Sequence, residues 1–120
     1  MFELSMTGHI AAAHFLRGYD GPCKDLHGHT WKIEVVIQSE KLSDIGLVMD
    51  FKDVKRKLHD FLGPLDHVCL NDLEYFQKVN PSTENIAKYI YQQFGKECKP
   101  FKLIKVRVWE SDNASITYYQ

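Results

Sequence analysis

Three side chains that could do chemistry occur together in the segment CKDLHGHT, residues 23–30. Cys23 precedes His27 and His29, and one glycine separates the two histidines. Neutral imidazole is the commonest protein ligand of zinc, and two histidines at positions i and i+2 of a strand project to the same side. The triplet HGH also occurs in polar turns, so the pair alone leaves a metal site and a turn both open.

A third histidine completes the pattern. His14 lies near the end of the segment FELSMTGHIAAAHF, where it shares one side of a predicted strand with the apolar even-numbered residues. A return of the chain through residues 15–26 would bring His14 beside His27 and His29. Three protein ligands leave a fourth position open, which is typical of catalytic zinc. We therefore predict a zinc site formed by these three histidines.

The cysteines differ in their surroundings. Cys23 follows Gly21 and Pro22 in a predicted loop, and a thiol beside a divalent cation readily loses its proton. Cys23 is therefore a candidate base or nucleophile, or alternatively a fourth zinc ligand. The chain has three cysteines and no C-x-x-C spacing, which argues against a disulfide framework and a four-cysteine zinc site. Cys69 and Cys98 are expected to be packing residues.

Two further groups could transfer protons or bind a ligand. Asp66 adjoins His67 in the segment LDHVCLND, and a carboxylate can orient an imidazole for acid-base work, although such neighbours also occur in loops by chance. Glu110 ends a predicted strand on what we take to be its apolar side, where it is either a frayed end or a group that faces a ligand. The apolar residues assigned to that side are Ile104, Val106 and Val108.

The elements that must position these residues follow the order ββααββ. Apolar alternation predicts strands at residues 2–15, 27–38, 102–110 and 115–119. Helical spacing predicts two helices, the first capped by Asp50 and ended by Gly63-Pro64, the second capped by Ser82 or Thr83 and ended by Gly95. This order indicates an α+β fold, a four-stranded antiparallel sheet with two helices on one face. The other face would need cover, which suggests a partner subunit.

Length and composition limit the alternatives. A chain of 120 residues fits one domain, residues 1–120. Its formal charge of -1, with 26% charged residues, gives no field that would collect nucleic acid. No apolar run approaches the roughly 18 residues of a membrane span, and the N-terminal segment lacks the basic start of a signal peptide. We expect a cytoplasmic chain without a nucleic-acid or membrane partner.

Six segments in order carry a family resemblance: AAAHF, C-x-x-x-H-G-H, GLVMDF, LDHVCLND, PSTENIA and WESDNAS. Together they resemble the 6-pyruvoyltetrahydropterin synthase and 6-carboxytetrahydropterin synthase family across nearly the whole chain. The three-residue gap between Cys23 and His27 is similar to that of the bacterial members that act in the queuosine and deazapurine pathway. In one departure, Phe15 follows His14 where the family often has a basic residue; Arg17 is the candidate substitute for contacts to a triphosphate.

The resemblance implies a T-fold (tunnelling fold), a homohexamer built from two trimers, and active sites between subunits. It implies that zinc is held by His14, His27 and His29 and that Cys23 is the general base. It further assigns the proton relay to Asp66 and His67, the anchor of the pterin ring to Glu110, and assisting contacts to Thr83 and Glu84. The implied substrate is 7,8-dihydroneopterin triphosphate, and the implied products are 6-carboxytetrahydropterin, acetaldehyde and triphosphate.

Three alternatives stay open at this point. A pyruvoyl-forming synthase would use the same site and differ only in the fate of the substrate side chain. A zinc hydrolase would use a metal-bound water and should tolerate the loss of Cys23. A zinc-stabilised module without activity should unfold when zinc is removed.

Overall fold

The computed structural model describes residues 1–120, with the side chain of residue 22 excepted. Five strands and two helices follow one another along the chain, joined by loops and short 3-10 turns. Their bounds are β1 Phe2–His14, β2 His27–Ser39, α1 Phe51–Leu62, β3 Val68–Cys69, α2 Thr83–Glu97, β4 Lys102–Ser111 and β5 Ala114–Tyr119. No helix in the described part of the chain is long and apolar enough to cross a membrane.

The four long strands form the predicted antiparallel arrangement within a sheet of order β3-β1-β2-β4-β5. Strands β1 and β2 pair along their full length, and this register places His14 directly opposite His27. The sequence did not predict β3, which pairs in parallel with β1 at Ala12 and Ala13. β3 was missed because a strand of two residues is too short to show alternation in the sequence. The sheet is therefore five-stranded and mixed instead of four-stranded and antiparallel, and β3 forms the edge next to β1.

Both helices begin where the sequence predicts. The Asp50 side chain accepts a hydrogen bond from the Lys52 backbone N–H at 2.8 Å, and Ser82 caps α2 in the same manner. The predicted end of α2 at Gly95 is wrong, because the helix continues to Glu97. A Cβ atom at residue 95 would lie 3.7 Å from the Leu103 side chain, an ordinary contact distance, so packing against β4 does not require a glycine here.

The helices cover one face of the sheet and leave the other open. On the covered face Trp31, Ile33 and Val35 of β2 are fully buried, whereas Lys32 and Thr30 on the opposite face are exposed. Strand alternation therefore directs His14, His27 and His29 towards the helix side. The remaining buried residues of this core include Leu4, Ile10, Val54, Leu58, Ile86, Ile90, Phe94, Val106 and Val108.

A β-bulge in the pairing of β2 with β4 makes the predicted position of Ile104 on the apolar side of β4 wrong. The pairing of β2 with β4 shifts between Val36 and Ile37, so that Leu103 and not Ile104 pairs opposite Ile37. Leu103 is only 5% exposed and belongs to the core, whereas Ile104 is half-buried. The alternation is regular after the bulge, and Glu110 therefore still lies on the side of the sheet that carries the histidines.

Candidate functional site

Three imidazoles meet at the end of the β1–β2 ladder. Because His14 lies opposite His27, and His29 follows two residues later on the same face, the three rings share one end of the core. Their closest nitrogens, Nε2 of His14 and Nε2 of His27, are 3.0 Å apart. One ring nitrogen from each histidine lies within 4.8 Å of the others. The structure thus brings together the three residues that the sequence predicts as metal ligands.

The protons on these rings can be assigned from their partners. His14 Nδ1 lies 2.7 Å from the Pro81 carbonyl oxygen, and His27 Nδ1 lies 2.7 Å from the Asp25 carbonyl oxygen. A carbonyl oxygen can only accept a hydrogen bond, so each Nδ1 carries a proton. In the neutral rings, Nε2 of His14 and Nε2 of His27 then direct lone pairs towards each other. Two facing lone pairs repel, and a metal ion between or beside them, or a proton shared by the two rings, makes this arrangement favourable.

The third ring gives an independent sign of a missing partner. Nε2 of His29 is buried and has no hydrogen-bond partner among the described residues. A buried polar nitrogen without a partner is costly. Three imidazole nitrogens that converge without donors suit a metal ion, and zinc prefers such nitrogen ligands. The cluster of His14, His27 and His29 therefore fits the predicted metal.

Burial keeps two of these ligands neutral. It lowers the pKa of His14, an effect that the hydrogen bond to Pro81 partly opposes. Burial likewise lowers the pKa of His29, and the nearby Glu110 carboxylate opposes that shift. Because the ordinary histidine pKa is 6.5, both rings are mainly neutral at pH 7. A metal ion at this site would not have to displace a proton from either ring.

An indole supports the cluster from the core. Trp31 is fully buried, and its ring centroid lies 4.9 Å from that of His14 and 5.0 Å from that of His29. The indole N–H donates to the Ala12 carbonyl oxygen at 3.2 Å. We did not predict this support from the sequence. The signal was available, since Trp31 continues the two-residue spacing of His27 and His29 on the same strand face.

Two of the predicted substrate residues lie beside the cluster. Glu110 Oε1 is 3.7 Å from His29 Nε2, and Glu110 Oε2 accepts a hydrogen bond from the Thr83 hydroxyl at 3.1 Å. Thr83 is the first residue of α2, so the helix start and the end of β4 meet next to the histidines. Glu84 lies exposed in the same helical turn. The structure thus joins Thr83 and Glu110 to the cluster and places Glu84 at its margin.

Cys23 lies in the loop that connects the two histidine-bearing strands. It belongs to a single 3-10 turn, its side chain is half-buried, and its sulfur is a free thiol. Its carbonyl oxygen accepts a hydrogen bond from the Leu16 N–H at 3.0 Å. In the described part of the chain, Cys23 is not among the side chains gathered within metal-binding reach of one another. Its predicted role as a base therefore stays a prediction.

The other two cysteines have different surroundings. Cys98 is buried in the core, and this burial raises the pKa of its thiol to about 11. Its predicted packing role is confirmed. Cys69 is half-buried, and its sulfur lies 3.9 Å from the Asn71 carboxamide oxygen.

Asp66 and His67 form a dyad at the outer edge of β1. Asp66 Oδ1 accepts from the Ala11 N–H at 2.8 Å, and Oδ2 lies 2.9 Å from His67 Nδ1. The Ala11 bond and then the bond to His67 hold the pKa of Asp66 below its usual range. The side chain of His67 is 80% exposed, and its backbone has a φ of 58°, a left-handed conformation that is costly for histidine.

The dyad does not join the histidine cluster within one chain. Its hydrogen bonds reach Ala11, three residues before His14 on β1, which is about 10 Å along a strand. His67 borders a shallow groove of about 520 Å³ together with Cys69 and Thr30, and the groove also reaches His29 of the cluster. Thr30 lies on the open face of the sheet, opposite the face that carries the cluster.

Arg17, the candidate substitute for a triphosphate contact, is engaged inside the chain. Its Nη2 atom donates to the carbonyl oxygens of Phe76 at 2.5 Å and of Val79 at 3.1 Å. The guanidinium therefore holds the segment before α2.

Comparisons with known proteins agree with this geometry. A family model described as 6-pyruvoyl tetrahydropterin synthase matches residues 3–120. Over 95 residues, or 75% of this chain, the sequence is 39% identical to a 6-carboxy-5,6,7,8-tetrahydropterin synthase of Bacillus subtilis. It is 37% identical over 94 residues, or 77% of this chain, to a human 6-pyruvoyl tetrahydrobiopterin synthase. These matches cover 63% and 65% of the relatives, so the chain spans just under two thirds of their length.

The fold is shared more widely than the sequence. A solved structure of 6-pyruvoyl tetrahydropterin synthase from Caenorhabditis elegans superposes with a TM-score of 0.89 at 24% identity, covering 99% of this chain and 95% of that one. This similarity confirms the predicted T-fold. Since the family model matches all but the first two residues, the chain belongs to the 6-pyruvoyl tetrahydropterin synthase family.

Proposed function

We propose that this chain is a zinc-dependent lyase of pterin metabolism. The proposed reaction converts 7,8-dihydroneopterin triphosphate and water to 6-carboxy-5,6,7,8-tetrahydropterin, acetaldehyde and triphosphate, as a step of queuosine and deazapurine biosynthesis. The observation that carries the proposal is the convergence of three imidazoles, one buried and two half-buried. The protons assigned to two of them, His14 and His27, leave their Nε2 lone pairs facing each other at 3.0 Å. The similarity to a B. subtilis protein named for this activity supports the choice of reaction.

The metal would be held by His14, His27 and His29. Zinc in this position would supply a Lewis acid that binds the side-chain hydroxyls of the substrate and acidifies the neighbouring carbon-bound protons. The carbonyls of Pro81 and Asp25 fix the tautomers of two ligands, because each accepts a proton-bearing Nδ1. Such outer hydrogen bonds orient the rings and keep their Nε2 atoms available.

Cys23 would remove a carbon-bound proton on one side of the substrate. It lies in the loop between β1 and β2, whose ends carry the ligands His14 and His27. Its half-buried sulfur does not belong to the ligand cluster, so it would be free to accept a proton once it is in the thiolate form. The three-residue link from Cys23 to His27 limits how far the sulfur can reach past the metal, and so which proton it can take.

Asp66 and His67 would transfer the second proton. Since His67 Nδ1 is bonded to the Asp66 carboxylate, His67 Nε2 is the nitrogen left to exchange a proton with a substrate. The dyad of one chain lies away from that chain's own cluster. We therefore propose that it serves the cluster of a neighbouring subunit in a homohexamer, as the family resemblance implies. A fully active monomer in light scattering would contradict this arrangement.

Glu110 would anchor the pterin ring. Its two carboxylate oxygens can accept two parallel hydrogen bonds from the amino and ring N–H donors of a pterin. The Thr83 hydroxyl donates to Oε2 and so orients the carboxylate. Glu84 is exposed one residue later and would assist at the rim of the site.

The test is a product analysis of the purified, zinc-loaded protein with dihydroneopterin triphosphate. An alcohol dehydrogenase coupled to NADH should detect acetaldehyde, and mass analysis should show a 6-carboxy pterin. Cys23→Ala should abolish acetaldehyde release, and Cys69→Ala provides a matched cysteine control. Absence of acetaldehyde with every variant and with the parent chain would contradict the proposed reaction.

A pyruvoyl-forming reaction is the second candidate, favoured by the 37% identity to the human synthase. It would release triphosphate without acetaldehyde, and the product would keep all three side-chain carbons. A zinc hydrolase is a third outcome of the same assay, recognised if Cys23→Ala keeps its activity, since a metal-bound water would then be the nucleophile.

A further inference from the structure

β1 ends at His14, but the backbone of the next three residues continues to form hydrogen bonds, with side chains in place of a strand on one side. Phe15 follows His14 directly, and both of its backbone groups are bonded to one side chain. The Phe15 N–H donates to Asn71 Oδ1 at 2.9 Å, and Asn71 Nδ2 donates to the Phe15 carbonyl oxygen at 3.0 Å. The carboxamide of Asn71 thus supplies the donor and acceptor pair that a neighbouring strand would supply.

The same arrangement recurs two residues later. The Arg17 N–H donates to Asn80 Oδ1 at 2.9 Å, and Asn80 Nδ2 donates to the Arg17 carbonyl oxygen at 2.8 Å. Between them, the Leu16 N–H points to the other side and donates to the Cys23 carbonyl oxygen at 3.0 Å. Residues 15–17 therefore have the alternating hydrogen bonds of a strand, with two asparagine side chains along one edge.

Both asparagines are tied to the candidate site. Asn80 precedes Pro81, whose carbonyl accepts the proton of His14 Nδ1 at 2.7 Å. The extension that Asn71 and Asn80 hold also fixes the backbone of Cys23 through Leu16. Asn71 is 5% exposed, and its carboxamide forms both of its short hydrogen bonds with the Phe15 backbone. Its other contact is a long one of 3.9 Å with the Cys69 sulfur.

We propose that Asn71 and Asn80 are positioning residues, whose carboxamides bind the backbone of Phe15 and Arg17 and thereby hold the metal ligand His14 and the backbone of Cys23 in place relative to each other. The inference rests on the proposed metal-binding function of the cluster. Neither asparagine reaches the ligand nitrogens. Each acts through the backbone on either side of His14 or through the Pro81 carbonyl.

Replacement of Asn80 should weaken metal binding, because the hydrogen bond from His14 Nδ1 to the Pro81 carbonyl orients the metal-binding ring. Loss of the Asn80 carboxamide removes both bonds to the Arg17 backbone and so loosens the segment that presents the Pro81 carbonyl to His14, although the Arg17 guanidinium still binds that segment. Removal of a partner that orients a metal-bound histidine typically weakens metal binding by about 10- to 100-fold. Asn80→Ala should fall in that range. Asn80→Asp should weaken binding as well, because it keeps the acceptor for the Arg17 N–H but places an oxygen against the Arg17 carbonyl.

The experiment measures cobalt(II) binding by chelator competition in the full-length chain, together with the visible absorption spectrum of the bound ion. Asn80 is half-buried and tolerates replacement better than buried Asn71, so Asn80→Ala and Asn80→Asp are the primary variants, with Asn71→Ala as a second position. Asn113→Ala, in the exposed turn between β4 and β5, is the matched control. Melting of the metal-free proteins separates weaker binding from a loss of folded protein.

The proposal expects weaker cobalt binding and an altered spectrum in both Asn80 variants, while Asn113→Ala stays like the parent. Parental affinity and spectrum in both Asn80 variants would overturn the positioning role and leave the proposed metal site intact. A parent chain that binds no cobalt or zinc would overturn the metal site and this inference together.

Discussion

Replacement of His27 by alanine should remove the stabilisation that zinc confers and leave the metal-free fold nearly unchanged. The His27 ring is half-buried, and its Nε2 lies 3.0 Å from Nε2 of His14, where two neutral rings with protonated Nδ1 atoms would face each other with lone pairs. Without a metal, loss of the ring removes this unfavourable contact together with some packing. We expect the metal-free variant to lie within about 1 kcal/mol of the metal-free parent in free energy of unfolding.

The effect of zinc on the parent can be estimated from linkage and chain length. A ligand held by the folded state alone stabilises it by about 2.7 kcal/mol when its free concentration is 100 times Kd. A chain of 120 residues has an unfolding entropy of roughly 250 cal/mol/K, so about 1 kcal/mol corresponds to 4 °C. Zinc buffered at that level should raise the parent's Tm by roughly 11 °C. A variant whose affinity is about 100-fold weaker should gain about 2 °C or less.

Scanning calorimetry at one fixed chain concentration measures the Tm of each protein twice, once in zinc-buffered solution and once with a chelator. The difference between the two Tm values is the zinc-dependent shift. His9→Ala is the matched control, since His9 is exposed on the opposite face of β1. The control should show the full zinc-dependent shift. If His27→Ala shows it too, zinc stabilises the chain at another place and the assignment of the site is refuted.

Three further predictions can be tested on the same chain. Cys23→Ala should keep one zinc per chain in metal analysis and lose roughly 100-fold or more in turnover; loss of the zinc with the thiol would make Cys23 a ligand. The metal-free chain should become less stable to urea as the pH falls below 6.5. Burial lowers the pKa of His14 and His29 in the folded state, so the unfolded chain binds more protons at these residues. A free energy of unfolding that rises on acidification would contradict this sign. Gly8→Val should cost about 1–3 kcal/mol in urea denaturation, since a Cβ at residue 8 lies 2.9 Å from the buried Leu62 side chain; unchanged stability would show that the core yields there.

Local patterns were sufficient to predict the centre of the site. The two-residue period of strands places His14, His27 and His29 on one face, and the return of the chain between them is short. Asp50 and Ser82 were recognisable as helix caps because a cap depends on a side chain and a backbone N–H only two or three residues away. Such features involve neighbours in the chain, which a single sequence displays directly.

Features that depend on distant segments could not be predicted in this way. Asp66 binds the Ala11 N–H across 55 positions of the chain, and Asn71 binds Phe15 across 56. No periodicity marks either pair. Gly95 was wrong as a helix end, because one glycine lowers helix stability by only about 1 kcal/mol and the helix continues to Glu97.

The indole beneath the cluster makes the protein its own optical reporter. The chain has two tryptophans; Trp31 lies about 5 Å from two candidate ligands, while Trp109 lies between the cations of Lys32 and Arg107 on the open face. A paramagnetic ion such as copper(II) or cobalt(II) bound at the histidines would quench the fluorescence of Trp31 at this range, whereas zinc, with its filled d shell, would not. With Trp109→Phe, the remaining emission comes from Trp31 alone, so the arrival of a metal can be followed in real time in a chain without any attached dye.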